Sequence, residues 1–188
     1  MKVLTRTQFG NPILREVARE LTLTEIKSEK VQNLIRDMRH TLIEKKLGIG
    51  LAAPQVGESI ALAVIAIRPT KLRPKIEPFD LVLINPVITE NKGRRKKMWE
   101  GCISAGSNGT ADLFAQVQRY GQIAVEFLDE NGTSQSKTLK GLQAQVVQHE
   151  VDHLNGILFV DRVKDTSTYM TYREYIKRVK NAQKEGKK

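Results

Sequence analysis

One cysteine, one tryptophan and six prolines in 188 residues exclude several kinds of protein before any motif is considered. A single thiol cannot close an intrachain disulfide, and an unpaired cysteine suits a reducing compartment. Long apolar runs are missing too. The longest, IALAVIAI over residues 60–67, is far short of the roughly 20 residues that span a bilayer. The first residues, MKVLTRTQFGNP, carry a lysine but no apolar stretch behind it, so no secretory signal is expected. These absences predict a cytoplasmic protein without a membrane partner. Aromatic residues make up only 5% of the chain, but 40% is hydrophobic. That fraction, at this length, suits one globular domain with a core of its own.

Acidic residues are in short supply relative to basic ones, and the formal charge is +10. Such an excess attracts polyanions. It is concentrated in KGRRKK, residues 92–97, and in residues 162–188, which hold nine Lys or Arg against three Asp or Glu. Two readings stand side by side: a solvated helix end with a frayed terminus, or a contact surface for RNA. No aromatic stacking cluster accompanies the charge, so nucleic-acid binding is the secondary reading.

Ile26, Val31, Leu34, Ile35, Met38, Leu42 and Ile43 follow a 3.6-residue period and predict a helix that ends near Gly48. His40 lies within it without a partner at ligand spacing, which favours a structural or surface role. SIALAVIAI and LVLINPVITE read as buried strands joined by a proline-rich loop. QIAVEFLDENGTSQSKTLKG reads as a hairpin turning at Asn131 and Gly132. LQAQVVQHEVDHLNG returns to helical spacing and stops at Gly156. The basic tail predicts a last helix. Strands gathered in the middle with helices before and after favour an α+β fold of mostly antiparallel strands.

Inside the penultimate helix stands HEVDH, residues 149–153. Histidines four apart share a helical face and can reach one cation, while Glu150 can lie beside water on that ion as a general base. Two imidazoles leave such a site incomplete. Downstream there is no third histidine and no glutamate before Glu174. Asp161 and Asp165 fall past the predicted helix end. Cys102, in WEGCIS, has two readings: a buried filler, the commoner fate of a lone cysteine, or the thiolate that completes the metal site. GIGLAAPQVG, residues 48–57, is a run of small residues ending near an uncharged amide, Gln55. It lacks the Gly-Lys-Ser/Thr of a phosphate loop. It suits either close approach to a peptide backbone or a tight helix-to-strand connection.

In this order and at these separations, GIGLAAPQVG, EGCIS and QHEVDHLNG closely resemble the peptide deformylase family. GNPILREVA and VEFLDENG resemble further segments of it, so the likeness spans roughly residues 8–163. It implies a catalytic domain over residues 1–163, folded around a metal-binding helix, and a basic helical extension over 164–188. The resemblance implies Cys102, His149 and His153 as ligands of one divalent ion, natively Fe2+, with Zn2+, Ni2+ or Co2+ accepted. It implies Glu150 as proton carrier, and the Gln55 amide and the Ile103 backbone N–H as donors to the formyl oxygen. It further implies that an N-formylated nascent peptide lies along Ile49, Gly50 and Gly101, with Leu142 and Val146 lining the methionine pocket. Glu100 and Arg119 match a structural ion pair.

The chain departs from the family pattern at Ile103, where leucine is usual, and after Ser104. AGSNGTADLFAQVQ has neither proline nor arginine before Arg119 and reads as a longer, flexible loop over residues 105–118. Gln145 would make one side of the pocket more polar if it faces inward. Three functions therefore stay in view: a deformylase, a deformylase-like hydrolase whose altered loop takes another acylated amine, and a ribosome- or RNA-associated protein that keeps the fold. An intact metal and proton-transfer set argues against the third, since binding alone requires none of it.

Overall fold

The computed structural model describes residues 1–44, 48–71, 73–106 and 111–185. The first apolar period folds as two helices rather than one, α1 (Leu23–Lys27) and α2 (Glu29–Glu44). A capping box starts α1: the Thr22 hydroxyl accepts from Glu25 N–H, and the Glu25 carboxylate accepts from Thr22 N–H. Ser28 breaks the helix, its backbone extended and its Oγ accepting the Val31 N–H at 3.3 Å. Val31, Ile35, Met38 and Leu42 are buried along one face of α2, while Ile43 is exposed. The helix is described to Glu44 and Gly48 is not helical; residues 45–47, just before the predicted end, lie outside the described residues.

The sheet runs in the order β1 (Gly50–Ala52), β2 (Leu62–Ile67), β3 (Phe79–Gly101), β4 (Leu113–Leu128) and β5 (Ser134–Lys140), each pair antiparallel. Helix α3 (Gly141–Leu154) follows β5. A two-residue β6 (Met170–Thr171) then pairs with the start of β4, and α4 (Tyr172–Glu185) ends the chain. This is an α+β architecture. All six residues of β2 are buried because both faces are covered. Ala63, Ile65 and Ile67 pack in a core with Ala144, Val146 and Val147 of α3. Leu62, Val64 and Ala66 pack in a second core with Val31, Ile35 and Met38. The sheet thus separates two apolar layers, and the apolar residues of α3 belong to one of them.

Two expectations need correction here. The basic block 92–97 is not a helix end: it lies inside β3, which after Ile84 leaves β2 and pairs with β4 alone up to Gly101. The ladder shifts register three times along this stretch, and the side chains of residues 92–97 are exposed. Charge and bulges of this kind keep an open strand edge from pairing with other chains. The segment read as a loop over 105–118 is strand from Leu113 onward, with Ala115 and Val117 buried. Residues 107–110 of it lie outside the described residues. The hairpin at Asn131 and Gly132 forms as expected, with Gly132 at φ +79° and its N–H donated to Asp129 O.

Candidate metal centre

Cys102 follows the last residue of β3, and His149 and His153 project from the same side of α3, one turn apart. The donor atoms of the three all lie within 4.8 Å of one another. Cys102 Sγ is 3.2 Å from His153 Nε2, and both residues are buried. Two imidazoles and a thiol converging on one point suit a borderline divalent ion such as Fe2+ or Zn2+. Among the described residues, the buried polar side-chain atoms without a partner are Glu150 Oε2 and His153 Nδ1. Both belong to this cluster. An unmet acceptor beside three convergent ligands is what a site for an ion and its water requires. Burial alone would raise the Cys102 thiol. The charges of His153 and His149 and their hydrogen bonds win, holding it well below its ordinary value.

The ligands are themselves held. His149 Nδ1 donates to Glu100 Oε2 at 3.0 Å, which fixes the tautomer and leaves Nε2 free for an ion. Glu100 also accepts a two-pronged pair of bonds from Arg119, at 2.8 and 3.0 Å. Burial would raise the Glu100 carboxyl, but the bonds from His149 and Arg119 hold it at about 2. Arg119 then reaches Asp152 at 2.5 Å, and Asp152 accepts from Arg162 at 2.7 Å. The ion pair expected between Glu100 and Arg119 is present and continues into a chain of alternating charges. Asp152 stood unnoticed inside HEVDH. It is the residue just before His153, about 100° round the helix from it, and its carboxylate meets Arg119.

Gln55 sits in the short 3-10 turn after β1. Its Oε1 accepts the Ala52 N–H at 2.8 Å, so Nε2 must point the other way, toward Cys102 Sγ at 3.4 Å and Ser104 Oγ at 3.2 Å. The amide is buried and its donor faces the ligand cluster. Ser104, which sequence reasoning passed over, orients it. Gly50 admits no side chain, because a Cβ there would stand 2.2 Å from Glu150 Oε1 and 2.8 Å from Val146. Glu150 is buried, and burial lifts its carboxyl to about 7 despite the opposing charges of His149 and His153.

A cavity of about 460 Å³ opens above this floor. Ile49, Gly50, Gln55, Gly101, Cys102, Ile103, Leu142, Val146, His149 and Glu150 all line it, and His153 lies behind them. Gln145 does face it, with Nε2 tied to Trp99 O at 2.9 Å.

Comparison with known proteins agrees with this geometry. The family model described as polypeptide deformylase matches residues 3–169. The chain belongs to that family. It is 39% identical to the peptide deformylase of Aquifex aeolicus over 173 residues, 92% of this chain and 95% of the other. Its fold is similar to that of the class I type b peptide deformylase of Acinetobacter baumannii, solved with Met-Ala-Ser bound, at TM-score 0.78 and 34% identity. That match covers 86% of this chain and 98% of the other. It also resembles the peptide deformylase of Synechococcus elongatus in complex with actinonin, with TM-score 0.72 and 38% identity, over 86% of this chain and 79% of the other.

One wall of the cavity is not within the stretch that the deformylase model matches. Tyr172, Tyr175, Ile176 and Val179 of α4 line it. Their spacing of i, i+3, i+4 and i+7 is an amphipathic helix face. That pattern was present in the tail's sequence but masked by its lysines and arginines. Tyr175 stacks on Phe114 with ring centroids 4.3 Å apart, and Trp99 lies 6.1 Å from the same ring.

Proposed function

We propose that this chain hydrolyses the N-formyl group from the formyl-methionine end of nascent polypeptides, releasing formate and a free amine. The observation that carries the reading is the floor of the cavity. An unpartnered Glu150 oxygen stands there beside Cys102, His149 and His153, with the Gln55 amide directed at the same point. A bound divalent ion would supply Lewis acidity and bring the pKa of a water down to roughly 7. Glu150 takes a proton from water as its oxygen bonds to the formyl carbon. As the carbonyl oxygen gains charge, Gln55 Nε2 and the Ile103 N–H donate to it. When the C–N bond breaks, Glu150 returns the proton to the leaving amine. The peptide backbone pairs as an added strand between Ile49 and Gly50 on one side and Gly101 on the other. The methionine side chain enters between Leu142 and Val146.

Ferrous iron is the proposed native ion. The test is formate release from formyl-Met-Ala-Ser by protein loaded anaerobically with Fe2+ or, for comparison, Ni2+, alongside metal analysis. Turnover that vanishes in Glu150→Gln supports the reading. A metal-loaded protein that releases no formate overturns it in favour of another acylated amine, and a protein that binds no metal overturns the ligand set.

Binding to the ribosome is a further part of this reading, in a cytoplasmic setting consistent with the lone thiol. Among the described residues no helix is long and apolar enough to cross a membrane. Because α4 turns Tyr172 and Tyr175 toward the cavity, its exposed face carries Arg173, Lys177 and Lys180. Deleting the tail would therefore disturb the cavity as well as the charge. Changing those three residues to glutamate is the sharper test. Sedimentation with ribosomes should fall in a salt-dependent way, and unchanged sedimentation would sink the proposal.

A further inference from the structure

The family model ends at residue 169, and α4 begins at Tyr172. This helix is fixed in place at its start. Met170 and Thr171 pair with Phe114 and Leu113 at the beginning of β4, and Tyr172 N–H donates to Asp112 O at 3.1 Å. The first two turns then carry four half-buried side chains into the cavity that contains Cys102 and Glu150.

The wall is continuous with the strand that borders the cleft. Phe114 lies directly over Gly101: a Cβ at Gly101 would stand 2.7 Å from its ring. Tyr175 stacks on Phe114, nearly parallel at 7°, and Arg178 covers the Trp99 ring at 5.3 Å. The layer Gly101, Phe114, Tyr175 thus leads from the peptide-binding edge outward to α4. A chain entering with its first residue between Leu142 and Val146 must send its next residues past this layer. There they meet aromatic and aliphatic surface rather than water.

We propose that α4 is a specificity wall, selecting formylated peptides with a bulky apolar side chain at one of the two residues after the methionine. The proposal rests on the deformylase reading for its substrate. Ile176 and Val179 supply aliphatic surface, and Tyr172, Tyr175 and Trp99 supply ring faces. A pocket of this kind discriminates between side chains by roughly tenfold or more through burial alone.

Two readouts test it. The first is kcat and KM for formate release from formyl-Met-Phe-Ser, formyl-Met-Ala-Phe and formyl-Met-Ala-Ser. The second is binding of the unformylated peptides, read from the fluorescence of Trp99, the chain's one tryptophan. The full chain should prefer at least one phenylalanine peptide about tenfold, chiefly through KM. Tyr175→Ala combined with Ile176→Ala should bring the ratio toward one, and Tyr175→Phe should keep it. Equal treatment of all three peptides by the full chain overturns the wall. So does a double variant that slows every peptide by the same factor, since that is how a purely structural helix behaves. If the double variant does not fold, Ile176→Ala alone decides by a partial or absent loss of the ratio. If no peptide releases formate, the deformylase reading fails by itself. The fluorescence titration then still rules on the wall, by whether Met-Phe-Ser or Met-Ala-Phe binds more tightly than Met-Ala-Ser.

Discussion

Beneath the floor of the cavity Glu100, Arg119, Asp152 and His149 are joined by bonds of 2.5 to 3.0 Å, whereas on its wall Tyr172, Tyr175, Ile176 and Val179 are half-buried and held by packing. The two materials suit two tasks. Directional bonds between buried charges fix ligand and donor positions to fractions of an ångström, which bond-breaking requires. Apolar surface is non-directional and accepts side chains of different shape, which suits a binder of many nascent chains. Damage at the floor should therefore appear in kcat and metal affinity, and damage at the wall in KM.

The largest effect should come from Glu150→Gln. The side chain keeps its shape but cannot carry a proton, so kcat should fall by roughly 10²–10⁴. Metal content should stay unchanged, because Cys102, His149 and His153 are intact. Loss of metal in this variant would mean that Glu150 holds the site together rather than moving a proton. Gln55→Ala comes next, with an expected loss of about 10²–10³ in kcat and little change in KM. A comparable rise in KM instead would indicate that Gln55 binds the substrate's ground state and blur the division between floor and wall.

How much of this division was legible in sequence differs between its two sides. His149, Glu150 and His153 stand out because helix geometry turns a four-residue spacing into a shared face, whereas Cys102, the only thiol, was open between buried filler and ligand until the family resemblance implied the latter. The hairpin was readable from Asn131 and Gly132, since a tight turn needs a residue tolerant of positive φ. The length of β3 was not readable. Its residues 92–97 are exposed on an edge, so no apolar alternation marks them as strand. Nor was the break at Ser28, where a capping bond from Val31 N–H outweighs an unbroken apolar period. The wall of α4 was hidden differently. Its apolar face is visible as a period, but what a helix face packs against is a tertiary fact.

Arg119→Met tests how far the floor depends on its charge chain. It leaves Glu100 with His149 alone and Asp152 with Arg162 alone, both in buried surroundings. Breaking a buried pair in this way costs about 3–5 kcal/mol. Because Glu100 orients His149, metal affinity should also fall by roughly 10–100-fold. Thermal melting and competition with a chelator measure the two effects. A destabilised variant with undiminished metal affinity would show that the network serves the fold and not the site.

The smallest effect lies away from both floor and wall, at the cap of α1, and it checks that the comparison concerns the cavity alone. Thr22→Ala removes one side of the capping box and should cost about 1 kcal/mol, with kcat and KM unchanged. Its pH dependence follows from Glu25, held at about 2 first by the hydrogen bond from Arg19 and then by those from Thr22. The folded carboxyl titrates below its ordinary value of 4.5, so the unfolded chain binds the proton more readily. The stabilisation it gives is therefore present above about 4.5 and lost as pH falls toward 2. The gap in melting temperature between Thr22→Ala and the parent chain should narrow over that interval. A constant gap would assign the cap's contribution to the Thr22 hydroxyl and Glu25 N–H alone, leaving the carboxylate outside the box.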